Sequence, residues 1–362
     1  MDPEKKRIVF FHLLNDYSGS PNMLALIIKG LAARGYQIDL YTSINRSGFL
    51  SNIDGIRTHS IYYNFSTNKI TTILFFIYAQ IMCFFSVCRY CFKKDVIVYI
   101  NTIYPFGAAI GAALTGKRVI YHVHEKPVKQ NIISSFAIFI QANLAFKSIY
   151  VSKYLFENSS INIRKKELVY NALSPEFTLR AEKYIRKNQS GNILMICSLR
   201  IFKGVFIFVD IANRLSQFKF TLVVNGTDQE ISTFFKGVKI PENLEIFSSK
   251  SDVHPYYEKA YLVLSLTIPS LWVETFGLTI LEAMTYGIPV LIPEVGGISE
   301  LIDNGVEGFK IDSGKRELLI SKIMELYSEK NEYLKFSANA KKKASTFTYP
   351  RMLEQIEDVI NS

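Results

Sequence analysis

Residues 269–290 read "PSLWVETFGLTILEAMTYGIPV". Two glutamates, Glu274 and Glu282, stand on either side of a Phe276-Gly277 pair, and apolar residues recur at helical spacing beyond it. A loop entering a helix here presents backbone N–H groups from Phe276, Gly277 and their neighbours, with the positive end of the helix dipole behind them. That is an anion site, and glycine at 277 lets a ligand approach the backbone without a Cβ in the way. One carboxylate before the helix and another two turns inside it can accept hydrogen bonds from hydroxyls flanking a bound phosphate. The order suits a sugar, a diphosphate and a ribose. The plain alternative makes Glu282 a solvated helix residue and Glu274 a complement to the dipole.

Working outward, strands and helices alternate twice. "RIVFFHLL" reads as a buried strand, "GSPNMLALIIKGLAARGY" as a helix and "QIDLYTS" as a second strand, and "DVIVYINT", "RVIYHVHE" and "KSIYVSKYL" follow as short strands. The polar segment "TLRAEKYIRKNQSGN" reads as a linker. The pattern then restarts with "ILMICSL", "GVFIFVDIANRLSQ", "FKFTLVVNG", "LEIFSS" and "YLVLSLT" before the opening stretch and "PVLIP". The expected fold is α/β, with two doubly wound Rossmann-like domains, 1–175 and 176–346, facing a central cleft. The amphipathic segment 347–362 is expected to pack back onto the first domain.

The formal net charge of +10 is unevenly spread. Residues 1–175 hold 20 Lys and Arg against 9 Asp and Glu, an excess of 11, and the remainder holds 22 against 23. A basic half suits a phosphorylated substrate or an anionic membrane surface; without zinc-finger or RNA-binding signatures, nucleic acid is not an expected partner. Cys83, Cys88 and Cys91 share one apolar stretch without a nearby histidine, so inert thiols are expected there rather than a metal site. "MDPEKKRIVFF" does not resemble a signal peptide, which favours the cytoplasm. Residues 70–92 have the length of a bilayer span yet contain Gln80 and Arg89. Three readings stand: a span, a buried helix, and a fold helix that also touches a membrane. The apolar helix at 131–146 lies in the same basic half, so a peripheral membrane contact there is consistent with both features.

A second loop-to-helix junction carries Arg200, Lys203 and Gly204 after the strand "ILMICSL", where positive side chains can neutralise a diphosphate. Gly296 and Gly297 mark a third.

With these residues assembled, the sequence resembles a family 4 (group 1) retaining glycosyltransferase of the GT-B fold, most specifically over Ser270–Gly308. The resemblance implies that Glu274 contacts hydroxyls of the transferred sugar and Glu282 the nucleotide ribose. Phe276, Gly277 and Leu278 would offer N–H groups to the distal phosphate and sugar, and Lys203 would bind phosphate. Gly19, in "NDYSGSPNML", resembles the small-residue loop near the donor phosphate and acceptor. In "YHVHEKP", His124 resembles the active-site histidine, with His122 the spare. Ser152 and Asn171 also fit, as structural closures. Ser198 replaces the family's usual arginine, with Arg200 offering charge two positions later.

The implied reaction moves a sugar from a nucleotide diphosphate to an acceptor hydroxyl with retention. No resident cofactor or metal is expected, since the expected cleft lacks an Asp-x-Asp pair. The charge partition points to a lipid-linked or surface-polysaccharide glycan as acceptor. The alternatives are a GT-B nucleotide-sugar epimerase or hydrolase, or a catalytically silent partner subunit.

Overall fold

The structure is a computed structural model that describes residues 6–43, 47–64, 68–125, 131–184, 191–248 and 252–362. The chain divides into two compact units, 1–171 with 350–362, and 172–349.

In the first unit, β1 (Arg7–His12) pairs in parallel with β2 (Gln37–Thr42) on one side and with β4 (Val96–Asn101) on the other. β3 (Arg57–Ser60), β5 (Arg118–Val123), β6 (Lys147–Tyr150) and β7 (Lys166–Leu168) complete the order β3-β2-β1-β4-β5-β6-β7. β1 and β4 bury nearly every side chain, as strands covered on both faces must, which explains their unbroken apolar runs. The order reverses between β1 and β4, so a crevice opens at their carboxyl ends. α1 (Gly19–Ala33) leaves β1 through an Asp16 turn, whose Oδ1 accepts from the Ser18 N–H at 2.9 Å.

The long apolar segment forms α2 (Lys69–Cys88) and packs against α3 (Phe106–Leu114). A Cβ at Gly107 would lie 2.1 Å from the Gln80 carbonyl oxygen, and one at Gly111 2.8 Å from that of Phe84, so two glycines one turn apart admit the α2 backbone. The Gln80 side chain accepts from the Gly107 N–H at 2.8 Å, giving a polar residue inside an apolar helix a structural reason. α4 (Ile132–Leu144) lies on the other side of α3. α13 (Tyr349–Asn361) buries Met352, Leu353, Ile356, Val359 and Ile360 in this unit, and its Glu357 pairs with Arg34 and Tyr36.

The second unit repeats the plan. β8 (Asn192–Ser198) is flanked by β9 (Lys219–Asn225) and β11 (Ala260–Leu264), and β10 (Leu244–Ser248), β12 (Val290–Ile292) and β13 (Gly308–Lys310) extend the order to β10-β9-β8-β11-β12-β13, all parallel. Its reversal falls between β8 and β11. The polar segment read as a linker begins instead as α6 (Pro175–Lys183), because Ser174 caps it by accepting from the Phe177 N–H at 3.1 Å and Pro175 fixes the first turn. Residues 185–190 of that segment lie outside the described residues.

Candidate active site

Each unit gathers its chemistry at its own switch point. In the second, β8 leads through a short turn, Ile201–Lys203, into α7 (Val205–Arg214). Gly204 has φ +76°, and a Cβ there would lie 2.1 Å from the carbonyl oxygen of Leu266, just beyond β11. The Ile268 N–H donates to the Phe202 carbonyl at 2.8 Å, and the Phe202 and Trp272 rings stack 5.1 Å apart. The β8 and β11 loops are thereby sewn together, and only a glycine fits between them.

This junction brings two predicted residues into contact: the Lys203 ammonium donates to Glu274 Oε1 in an ion pair. The buried Thr267 hydroxyl donates to the same oxygen at 2.7 Å. Both charged side chains are 18% exposed, so the pair is held firmly yet remains within reach of a ligand. Nearby Cys197 is no nucleophile: burial pushes its thiol up to about 12, with Lys203 opposing and Glu274 reinforcing the rise.

Gly277, at φ +101°, caps α10 (Leu278–Thr285), and a Cβ there would lie 2.6 Å from Cγ1 of Ile298. Gly296, at φ +105°, has the Glu274 carbonyl oxygen 2.4 Å from its would-be Cβ, and Gly297 begins the turn that carries Ile298. These glycines press the turn after β12 against the Glu274 loop. The Phe276 side chain is buried with its ring 6.0 Å from Phe347, which turns the loop's backbone, rather than that side chain, toward the helix end. The first N–H groups of α10, from Leu278 onward, have no carbonyl one turn earlier, which gives the site its positive end.

Glu282 is the fifth residue of α10, little more than one turn inside rather than two. It is half-buried, not solvated, and the fully buried Tyr257 of α9 (His254–Lys259) donates to its Oε2 at 2.6 Å. Burial lifts its carboxyl to about 7, against the lowering effect of the Tyr257 hydrogen bond. Arg200 stands apart from the Lys203–Glu274 pair. It is exposed and lines a cavity of about 530 Å³ with Ser198, Asn225, Thr227 and Glu230, beside α8 (Asp228–Phe234).

In the first unit the switch point holds His12, Asn101 and His124, from the ends of β1, β4 and β5. His124 Nε2 lies 2.8 Å from Asn101 Oδ1, while Asn101 Nδ2 faces His12 Nδ1 at 3.1 Å and the Ser20 carbonyl at 3.3 Å. An amide oxygen can only accept, so His124 Nε2 carries its proton toward Asn101. Burial lowers His124 well below the usual histidine range, and neighbouring His122 and His12 lower it further; His12 falls to about 4 and His122 to about 3, chiefly by burial. All three imidazoles are neutral near pH 7 and act through hydrogen bonds rather than charge. His122 points inward, bonded through Nδ1 to the Tyr99 hydroxyl at 2.9 Å, with its ring 4.1 Å from that of His124. Gly19 is exposed at the first position of α1, one residue before the carbonyl that Asn101 grips. Thr102, at φ +73°, strains the backbone beside this cluster, while its N–H donates to the His122 carbonyl at 2.8 Å. Ser152 caps α5 (Lys153–Glu157), accepting from the Leu155 N–H at 3.3 Å, and Asn171 is buried where the first unit ends.

Sequence reasoning missed Thr267, Tyr257, Asn101 and His12; Thr267, Asn101 and His12 lie at or just beyond strand ends, their only signal, and Tyr257, on α9, had none. Among the described residues, no three His, Cys, Asp or Glu side chains are grouped as a metal site would require.

Residues 178–343 match the family model described as glycosyl transferases group 1. An uncharacterized glycosyltransferase of Methanocaldococcus jannaschii is 24% identical over 272 residues, 73% of this chain and 74% of its own. A sucrose synthase of Melioribacter roseus is 50% identical over 56 residues, 16% of this chain. That match takes up 7% of the sucrose synthase, so it speaks for a shared segment and not for a whole protein. In three dimensions the crystal structure of Anabaena HepE in complex with UDP and glucose superimposes with a TM-score of 0.79 at 17% identity, covering 99% of this chain and 100% of that one. The fold is GT-B: two parallel sheets, each flanked by helices.

Proposed function

From a chain with the GT-B fold whose residues 178–343 are a group 1 glycosyl transferase domain, we infer an enzyme that moves a sugar from a nucleotide diphosphate sugar to an acceptor hydroxyl. The observation that carries this reading is the Lys203–Glu274 pair, held by Thr267 and two left-handed glycines beside the start of α10.

Each group has a role that fits its surroundings. Lys203 moves from Glu274 to an oxygen of the diphosphate, joined by the N–H groups of Gly277 and Leu278, and so offsets the charge that grows on the leaving group. Glu274 is then released to accept from hydroxyls of the transferred sugar. Glu282 accepts from the ribose, with Tyr257 setting its direction. Neutral His124, oriented by Asn101, hydrogen-bonds the donor sugar. Arg200 lies over the neighbouring cavity and adds positive potential near the diphosphate.

The reaction is a front-face substitution. The bond from the anomeric carbon to the diphosphate oxygen breaks, the acceptor oxygen bonds to the same face, and its proton passes to the leaving phosphate oxygen. Configuration is retained without a protein nucleophile. The leaving-group charge is met by Lys203, Arg200 and the helix end, so the reaction proceeds without a divalent metal. The acceptor is a glycan, lipid-linked or destined for a surface polysaccharide, consistent with the basic first 175 residues.

The test is to incubate the protein with a panel of nucleotide diphosphate sugars and short glycan acceptors, with and without EDTA, and to follow products by mass spectrometry and anomeric NMR. A retained-configuration product that EDTA does not suppress supports the reading. Donor hydrolysis at the same rate with and without acceptor refutes it.

A further inference from the structure

The exposed surface of α2 bears an unpartnered apolar stripe. Ile70, Ile73, Leu74, Ile77, Ile81 and Phe85 recur at steps of three and four and are all exposed. The opposite side of the helix is fixed to α3 through Gly107 and Gly111, so the stripe is what remains after the fold has taken its share. α4 repeats the arrangement with Ile132, Phe136 and Phe139, again at steps of four and three and exposed. Edge-on contacts link the three helices through Phe76, Phe106 and Phe136, at 5.7 and 5.2 Å, so the two stripes belong to one side of the first unit. An exposed apolar surface of this extent marks a binding face.

Charge selects its occupant. Residues 68–94, 105–118 and 131–147, which make up these helices and their ends, contain seven Lys or Arg and no Asp or Glu. Exposed Arg89, Lys93 and Lys94 lie where α2 ends, beside Phe92, which is 98% exposed. Two copies meeting through this face would set like charges against one another. A bilayer with anionic headgroups offers both complements: an apolar layer for the stripe and negative charge for the cations. The α2–α3 glycine contacts tie the second half of α2 to the fold at Gln80 and Phe84, which suits a helix that lies on a membrane rather than through it. We propose that the face formed by α2 and α4 docks the first unit onto an anionic lipid surface, with α2 lying lengthwise in the interface.

Vesicle flotation of the full chain tests this, using phosphatidylcholine alone and phosphatidylcholine with phosphatidylglycerol. The proposal expects flotation with the mixed vesicles, at least about tenfold less with phosphatidylcholine alone, and weakening as salt rises from about 0.1 to about 0.5 M. Ile73→Gln/Ile77→Gln/Ile81→Gln removes the apolar term and Lys93→Glu/Lys94→Glu the electrostatic one, so each variant should lose about tenfold in bound fraction. Melting temperatures should stay at the wild-type value, since these side chains are exposed. Absence of wild-type flotation overturns the proposal, as does equal flotation by the variants. A dimer in sedimentation that the triple variant dissolves, without vesicle binding, assigns the face to a second copy instead and overturns it equally.

Discussion

Gly204→Ala is the substitution whose cost the structure specifies most fully. The glycine sits at φ +76°, where an added Cβ costs about 1–2 kcal/mol by itself. That Cβ would also lie 2.1 Å from the Leu266 carbonyl oxygen and 2.7 Å from the Leu266 Cβ. A backbone oxygen beyond β11 cannot swing aside as a side-chain tip can, so overpacking adds about 1–3 kcal/mol. The total is about 2–5 kcal/mol. At about 3 °C per kcal/mol for a unit of this size, the second unit's melting transition should fall by about 6–15 °C. Gly237→Ala is the control: φ is +80° and nothing lies within 4 Å of the position its Cβ would take, so only the conformational term applies and the drop should be about 3–6 °C. Scanning calorimetry on both variants reads the difference directly. If Gly204→Ala melts no lower than Gly237→Ala, the β8–β11 junction is looser than described, and the placement of Lys203 loses its support.

Three further outcomes follow from the site. With Glu282 titrating near 7, nucleotide affinity should rise between about pH 6 and 8 as the carboxylate forms, because ribose hydroxyls favour the charged acceptor; Tyr257→Phe should shift that rise to higher pH and Glu282→Gln should abolish it in calorimetric titrations. The histidines give stability a pH dependence of the same direction. Their folded values lie below the unfolded 6.5, so their contribution is complete above about pH 6.5 and lost as pH falls, at about 1.4 kcal/mol per pH unit for each histidine. The first unit's melting temperature should therefore be level from about pH 7 to 8.5 and decline from about 6.5 to 5; a level acid limb would contradict neutral burial. Asn101→Ala takes one partner from each of His124 and His12, and should lower kcat about 10-fold or more with KM for the donor changed far less, in steady-state kinetics.

The alternation of strands and helices was legible because buried parallel strands must be apolar runs, and β1 and β4 obey that rule. Glu274, Gly277 and Lys203 were legible as loop-to-helix residues. Their mutual contact was not, since 71 positions separate Lys203 from Glu274 and only the β8–β11 neighbourhood joins them. Thr267 and Tyr257 escaped notice for a related reason: a threonine beyond β11 and a tyrosine on α9 announce nothing until the fold places their hydroxyls on the two glutamates. Asn101 and His12 come from strands whose adjacency depends on the switch of sheet order, which local periodicity does not encode. The polar residues after 174 misled because composition outweighed one serine cap and one proline.

If Glu274 and Glu282 hold opposite ends of one donor, with Lys203 on the phosphates between them, the nucleotide without its sugar should feel only two of the three. Titration calorimetry of the matching nucleoside diphosphate into wild type, Glu282→Gln, Lys203→Ala and Glu274→Gln tests this. Glu282→Gln and Lys203→Ala should each weaken binding by about tenfold or more, the loss of one charge-assisted contact. Glu274→Gln should leave it undiminished, because its carboxylate competes with phosphate for Lys203 and meets only the sugar. Equal losses in all three variants would contradict the division.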